Sequence, residues 1–213
     1  MKKITLLILI IINCITIYAQ AQEKSFRLSL EFSPNLSIIT NEIANERFKL
    51  SYNFAAKVEF SINSKIDLTT GLAFLNTGER EKTISNTQTE ILEASFKHHF
   101  NYVLIPIGIK ASSKKIFINP EIAIGFNMSN FTIASVTDLN GNITKTKNNI
   151  ALIGDQINKI TIPISLIVGK EFELKKASIL AGIKAYYSLN KVVSSVPRNN
   201  HYYGFGVVVG IVI

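Results

Sequence analysis

Tyr52-Asn53-Phe54-Ala55-Ala56-Lys57-Val58-Glu59-Phe60-Ser61 places an apolar residue at every even position and a polar or small one at every odd position. Successive side chains of an extended chain point to opposite faces, so this stretch is a strand with one apolar face and one face carrying Lys57 and Glu59. The same period recurs along the chain. Ile66, Leu68, Leu72 and Phe74 oppose Asp67, Thr69, Gly71 and Ala73, and Ile116, Ile118, Ile122, Ile124 and Phe126 oppose Asn119, Glu121, Gly125 and Asn127. Near the end, Tyr203, Phe205, Val207, Val209, Ile211 and Ile213 share a face opposite Tyr202, Gly204, Gly206, Val208, Gly210 and Val212.

Eight stretches of this kind can be placed, near residues 26 to 36, 51 to 62, 65 to 77, 97 to 111, 115 to 129, 157 to 171, 177 to 190 and 201 to 213. An even number of antiparallel strands closes into a barrel with both chain ends on one side. The connections alternate in length. Asn63-Ser64, Ser112 to Lys114 and Glu171 to Lys176 are short, whereas residues 37 to 50, 78 to 96, 130 to 156 and 191 to 200 are long. Short periplasmic turns and long external loops are the pattern of outer-membrane barrels. Alternation alone fits a soluble barrel with its apolar face inward equally well; loop asymmetry and the start of the chain favour the membrane.

Met1, Lys2 and Lys3 form a positive n-region, Ile4 to Ile12 an apolar run broken by Thr5, and Ala19-Gln20-Ala21 a small-residue cleavage site. Residues 1–21 are therefore expected to be a removed signal peptide and 22–213 a single outer-membrane β-barrel domain. The apolar run is far short of the ~20 residues a membrane helix needs. Cys14, the one cysteine, falls within the signal and follows Asn13 rather than the small residue of a lipoprotein signal, so the mature chain offers no disulfide, thiol nucleophile or thiolate ligand.

The 213-residue chain carries 23 basic and 15 acidic residues; without Lys2 and Lys3 the mature chain has 21 against 15, a net charge of +6. This modest, scattered excess suits anionic lipid head groups and the phosphates of lipopolysaccharide, and nucleic acid is not expected as a partner. On the inward faces fall Glu31, Lys57, Glu59, Asp67, Lys110, Glu121 and Lys184, with Arg27 near the end of the first strand. Eight strands enclose a space that side chains can fill. These mixed charges are expected to form a paired network that plugs the lumen, with an open small-solute channel as the alternative.

Other candidates are weaker in chemistry. Pro106 and Pro163 should mark bulges or locally unpaired positions, since proline cannot donate to a ladder. His98, His99 and His201 lie toward one rim, but His98 and His99 point to opposite faces and cannot easily share one metal ion; lipid chemistry with His99 as general base is a further alternative. No catalytic, cofactor or metal site is expected, and no cofactor. Tyr52, Phe100, Tyr102, Tyr186, Tyr187, Tyr202 and Tyr203 read as an interfacial aromatic belt. Residues 130 to 156, with Asn140-Gly141 as turn, suggest a projecting hairpin whose Lys145 and Lys147, with Lys191 and Arg198, could meet lipopolysaccharide phosphate or a protein partner.

Two segments resemble the PorT-like outer-membrane β-barrel family: Ser64-Lys65-Ile66-Asp67-Leu68-Thr69-Thr70-Gly71-Leu72-Ala73-Phe74-Leu75-Asn76-Thr77-Gly78, and Tyr102-Val103-Leu104-Ile105-Pro106-Ile107-Gly108-Ile109-Lys110. The second is similar to that family's aromatic-x-x-Ile-Pro-aliphatic strand followed by a charged residue. The chain departs at its end, where many outer-membrane barrels carry Phe or Trp and this one has Ile213. The resemblance implies an exported single barrel and a role as an accessory component of envelope assembly or secretion. The reading is an all-β, eight-stranded antiparallel transmembrane β-barrel, monomeric and non-enzymatic, serving a structural or surface-interaction role.

Overall fold

The computed structural model describes residues 26–40, 46–86, 91–137, 141–149, 157–192 and 200–213; the expected signal peptide and Arg198 lie outside them. Among the described residues eight long strands form, β1 (Phe26–Ile39), β2 (Lys49–Asn63), β3 (Ile66–Asn86), β4 (Ile91–Ser113), β5 (Ile116–Thr137), β6 (Pro163–Glu173), β7 (Ser178–Ser188) and β8 (Tyr202–Val212). Each pairs antiparallel with its sequence neighbour, and β1 pairs with β8 from Ser29↔Val212 to Ile39↔Tyr202, which closes the barrel. Three short segments add to it: Glu46–Arg47 pairs with β3, while Ile143–Asn149 and Ile160–Thr161 both pair with β5.

The tight connections all lie at one end. Asn63 Oδ1 accepts a hydrogen bond from Lys65 N at 2.9 Å, the side-chain turn by which Asn stabilises a reversal. Ser113 pairs with Ile116 across a two-residue turn in which Lys114 and Lys115 have φ of 49° and 73°. Positive φ at both central residues matches the twist of the flanking strands. Between β6 and β7, Leu174 N donates to Ala177 O at 2.7 Å. The first and last strands meet at this end too, where Leu28 and Ile213 exchange backbone hydrogen bonds of 2.9 and 2.8 Å.

The apolar faces point out. Leu72 is 60% exposed, Ile183 65% and Ile107 55%, as are the outward residues of every other strand to comparable degree. A wall of this kind far exceeds the few hundred Å² of contiguous apolar surface that a soluble monomer shows, and at roughly 25 cal/mol per Å² water is the wrong solvent for it. A membrane strand needs ~9–11 residues. Strands β6, β7 and β8 have 11 each, whereas β3, β4 and β5 run to 21, 23 and 22. The long strands therefore continue beyond the bilayer at the end opposite the tight turns.

That continuation corrects the expected loop boundaries. Residues 78–86 and 91–96 are paired strand, with Gly78↔His99 through Asn86↔Ile91 in unbroken register. Likewise β5 runs to Thr137 and is joined by Ile143–Asn149, the projecting hairpin anticipated around Gly141, which has φ of 80°. Outside lipid neither face of a strand must be apolar, so these segments lack the alternation that marks the rest.

Prolines interrupt the ladders where side chains can substitute. Pro34 lies in a gap between the pairs Phe32↔Val209 and Asn35↔Gly206, and Ser33 Oγ donates to Val207 O at 2.7 Å. Between Thr70↔Ile107 and Ala73↔Leu104 the β3–β4 ladder also lapses, and Thr70 Oγ1 donates to Pro106 O at 2.9 Å. Next to Pro163, Ile162 N donates to Asn190 Oδ1 at 2.7 Å. These bonds answer the requirement that buried backbone groups find partners.

Candidate functional site

The inward positions form layers. At the tight-turn end Arg27 reaches Glu59 at 2.6 Å, Asp67 at 3.1 Å and Glu171 at 3.2 Å. Lys110 bonds Glu59 at 2.9 Å and also pairs with Glu171, and its ammonium lies 4.9 Å from the centre of the Phe117 ring. One layer further in, Lys57 pairs with Glu31 at 2.9 Å and with Glu121, which Lys184 approaches to 3.9 Å. Asn119 and Ser165 donate to the two oxygens of Glu121 at 2.9 and 3.2 Å. All seven inward charges named from the sequence are buried here, joined by Arg27. Desolvation would cost several kcal/mol per ion, and this dense pairing offsets it.

Glu171 was missed, because it opens the polar run Glu171 to Lys176 that reads as a turn. It sits in β6 opposite Leu180 and shares the inward parity of Ser165 and Ile167. That parity is the signal that identifies it.

Above the charges lies an aromatic layer. Tyr102, Tyr186, Tyr202 and Phe100 are buried with Leu75 and Leu104, which corrects their assignment to an interfacial belt. Tyr202 Oη and Thr161 Oγ1 share a 2.9 Å hydrogen bond, and Tyr186 Oη donates to Asn35 Oδ1 at 2.8 Å. Tyr52 and Tyr187 do face outward, and Tyr203 reaches the Phe48 ring edge-on at 6.2 Å. Belt residues and lumen residues are neighbours in sequence, as with Tyr202 and Tyr203, and differ in parity alone. Between the aromatic and charged layers remains a void of about 20 Å³ lined by Lys57, Glu121, Lys184 and Tyr186, space for one water. Within the described residues the lumen is filled.

The histidines are dispersed and lie within strand or beside it. His99 stacks on Phe131 at 4.5 Å, and His201 stacks on Tyr187 at 5.3 Å with Nδ1 2.9 Å from Ser188 O. His98 Nδ1 lies 2.8 Å from Thr132 Oγ1 on the opposite face from His99. On the projecting sheet, ligand atoms of Glu79, Glu81 and His98 lie within 4.8 Å of one another. The His98 imidazole, 3.8 Å from Glu81, holds that carboxylate below the usual glutamate range against the opposing effect of burial.

A closed barrel with an apolar outer wall and a lumen filled by ion pairs and tyrosines is a small transmembrane β-barrel. Residues 18–194 match the family described as outer membrane protein beta-barrel domain, and the chain belongs to that family. No curated protein matches the sequence. Among solved structures it is similar to neisserial surface protein A (NspA), at 10% identity and a TM-score of 0.43 over 90% of this chain and 99% of that one. It is also similar to Ail, the attachment invasion locus protein of Yersinia pestis, solved with the heparin analogue sucrose octasulfate (10%, TM-score 0.41, 90% and 100%). A third is the translocator domain of the autotransporter NalP from Neisseria meningitidis (10%, TM-score 0.29, 94% and 92%).

Proposed function

We propose that the chain is exported with loss of residues 1–21 and serves as a non-enzymatic, monomeric surface-interaction barrel of the outer membrane. One observation carries this reading: the lumen is filled while β3, β4, β5 and Ile143–Asn149 extend well past the apolar wall as a paired sheet. A rigid scaffold holding an extended polar sheet is where binding resides. The inward charges Glu31, Lys57, Glu59, Asp67, Lys110, Glu121 and Lys184 act as an internal brace rather than an ion path. Lipopolysaccharide and an envelope protein are the partners this arrangement suits. The PorT-like likeness of Ser64–Gly78 and Tyr102–Lys110 supports service to envelope assembly or secretion as the setting.

Orientation is testable by thiol labelling, since removal of the signal takes Cys14 with it. Thr144→Cys on the projecting hairpin and Ser64→Cys in a tight turn are both exposed. With a membrane-impermeant maleimide on intact cells, Thr144→Cys reacts and Ser64→Cys reacts only after permeabilisation. The reverse pattern overturns the outward placement of the sheet.

A further inference from the structure

Residues directly paired across an antiparallel ladder share a face. In register across the projecting sheet, Arg47 pairs with Arg80, Arg80 with Lys97, Lys97 with Ile133 and Ile133 with Lys147. The next row on the same face runs Lys82, Ser95, Ser135, Lys145. Six cations thus share one face, and among the described residues of these rows and the adjoining one the acid there is Glu93, 2.8 Å from Lys82. Glu79, Glu81 and His98 occupy the other face, the one continuous with the lumen wall.

Like charges directly opposite one another destabilise a sheet. Arg47, Arg80 and Lys97 are three such neighbours on adjacent strands, an arrangement that a bound anion would relieve. The face is also prepared for one. Ser95 Oγ accepts from Arg80 Nε at 3.1 Å, which anchors the guanidinium, and Lys147 Nζ sits 4.2 Å over the Phe131 ring that His99 stacks upon. Height selects the source. Beyond the buried Asn76, Arg80 and Lys82 keep the even parity of the outward Leu68 and Leu72, and Arg47, Lys97, Lys145 and Lys147 are exposed, so the cations stand past the lipid-facing wall, at head-group level.

We infer that the Arg47–Arg80–Lys97–Lys147 row binds the phosphates of a phosphorylated glycolipid head group in the outer leaflet. This deepens the surface-interaction reading and rests on it; the thiol labelling above tests placement of the sheet independently of phosphate. Guanidinium forks and ammonium groups suit phosphate oxygens as charge-assisted donors.

The test uses the full mature chain folded in neutral detergent micelles and titrated with bisphosphorylated lipid A, with dephosphorylated lipid A, and with inositol hexakisphosphate. The expected result is binding of the bisphosphorylated lipid that weakens with salt, as screening requires. Arg80→Gln/Lys97→Gln/Lys147→Gln weakens it on the order of 100-fold, from the contribution of each basic residue at an anionic surface. Lys65→Gln/Lys175→Gln/Lys176→Gln, with the same charge change at the tight-turn end, binds as the parent does. A ligand-free unfolding midpoint at or above the parent's establishes that the first variant is folded, since it removes like-charge repulsion. Equal affinity for dephosphorylated lipid A, or no loss in the first variant, overturns the inference. Tighter binding of inositol hexakisphosphate than of lipid A overturns the lipid source in favour of a soluble polyanion.

Discussion

Replacing Lys57 by Met will destabilise the barrel by about 3–5 kcal/mol, because it strips the cation from between two buried carboxylates. Glu31 and Glu121 are 6% and 7% exposed, and Lys57, 1% exposed, is the group that both contact. Without it Glu31 is left desolvated and Glu121 keeps Lys184 at 3.9 Å with Asn119 and Ser165. Equilibrium unfolding in urea after reconstitution into lipid vesicles reads the loss. The pair Lys57→Met/Glu31→Leu should recover at least half of it, since the orphaned carboxylate is removed along with its partner. Additive losses in the double variant would contradict the ion-pair account of this layer.

Ile183→Arg is the second large effect, at about 2–4 kcal/mol in a bilayer. Ile183 is midway along the eleven residues of β7, 65% exposed, and flanked in register by Val168 and Val207. In water an exposed Ile replaced by Arg changes stability little. In lipid the guanidinium must leave water at the depth where that costs most. The same substitution at Ile143, on the hairpin beyond the apolar wall, should cost close to nothing. Equal and small effects at both positions, measured in vesicles, would mean that the apolar wall does not face lipid.

Strand parity made the barrel legible. Because the period is two, the alternation in Tyr52 to Ser61 assigned Lys57 and Glu59 to the inner face before any contact was known, and the same parity assigned Glu121 and Lys184. Residue type misleads where it conflicts with parity. Tyr102 belongs with Leu104, Gly108 and Lys110, all inward, yet its residue type suggested a belt. Glu171 belongs with Ser165 and Ile167, yet its polar neighbours suggested a turn. The outer halves of β3, β4 and β5 carried no such signal, since water bathes both faces there. The Arg47–Arg80–Lys97–Lys147 row was unreadable for a different reason: it exists only through the register of five paired segments, which sequence spacing does not define.

The charged and aromatic layers together bear on what the barrel transmits. Tyr102, Tyr186 and Tyr202 close the lumen above Lys57 and Glu121, and Arg27 and Lys110 close it below; Tyr186 and Tyr202 are held by hydrogen bonds, and Arg27, Lys57 and Lys110 by ion pairs. Moving an ion through would require breaking several buried pairs at once, at several kcal/mol each.

Planar-bilayer recording of the full mature chain tests this most directly, with insertion verified by trypsin protection in vesicles of the same lipid. The expected result is inserted protein with no stepwise current under applied voltage at neutral pH. Reproducible single-channel steps that scale with salt and shift when Glu59 or Lys184 is neutralised would contradict a sealed lumen.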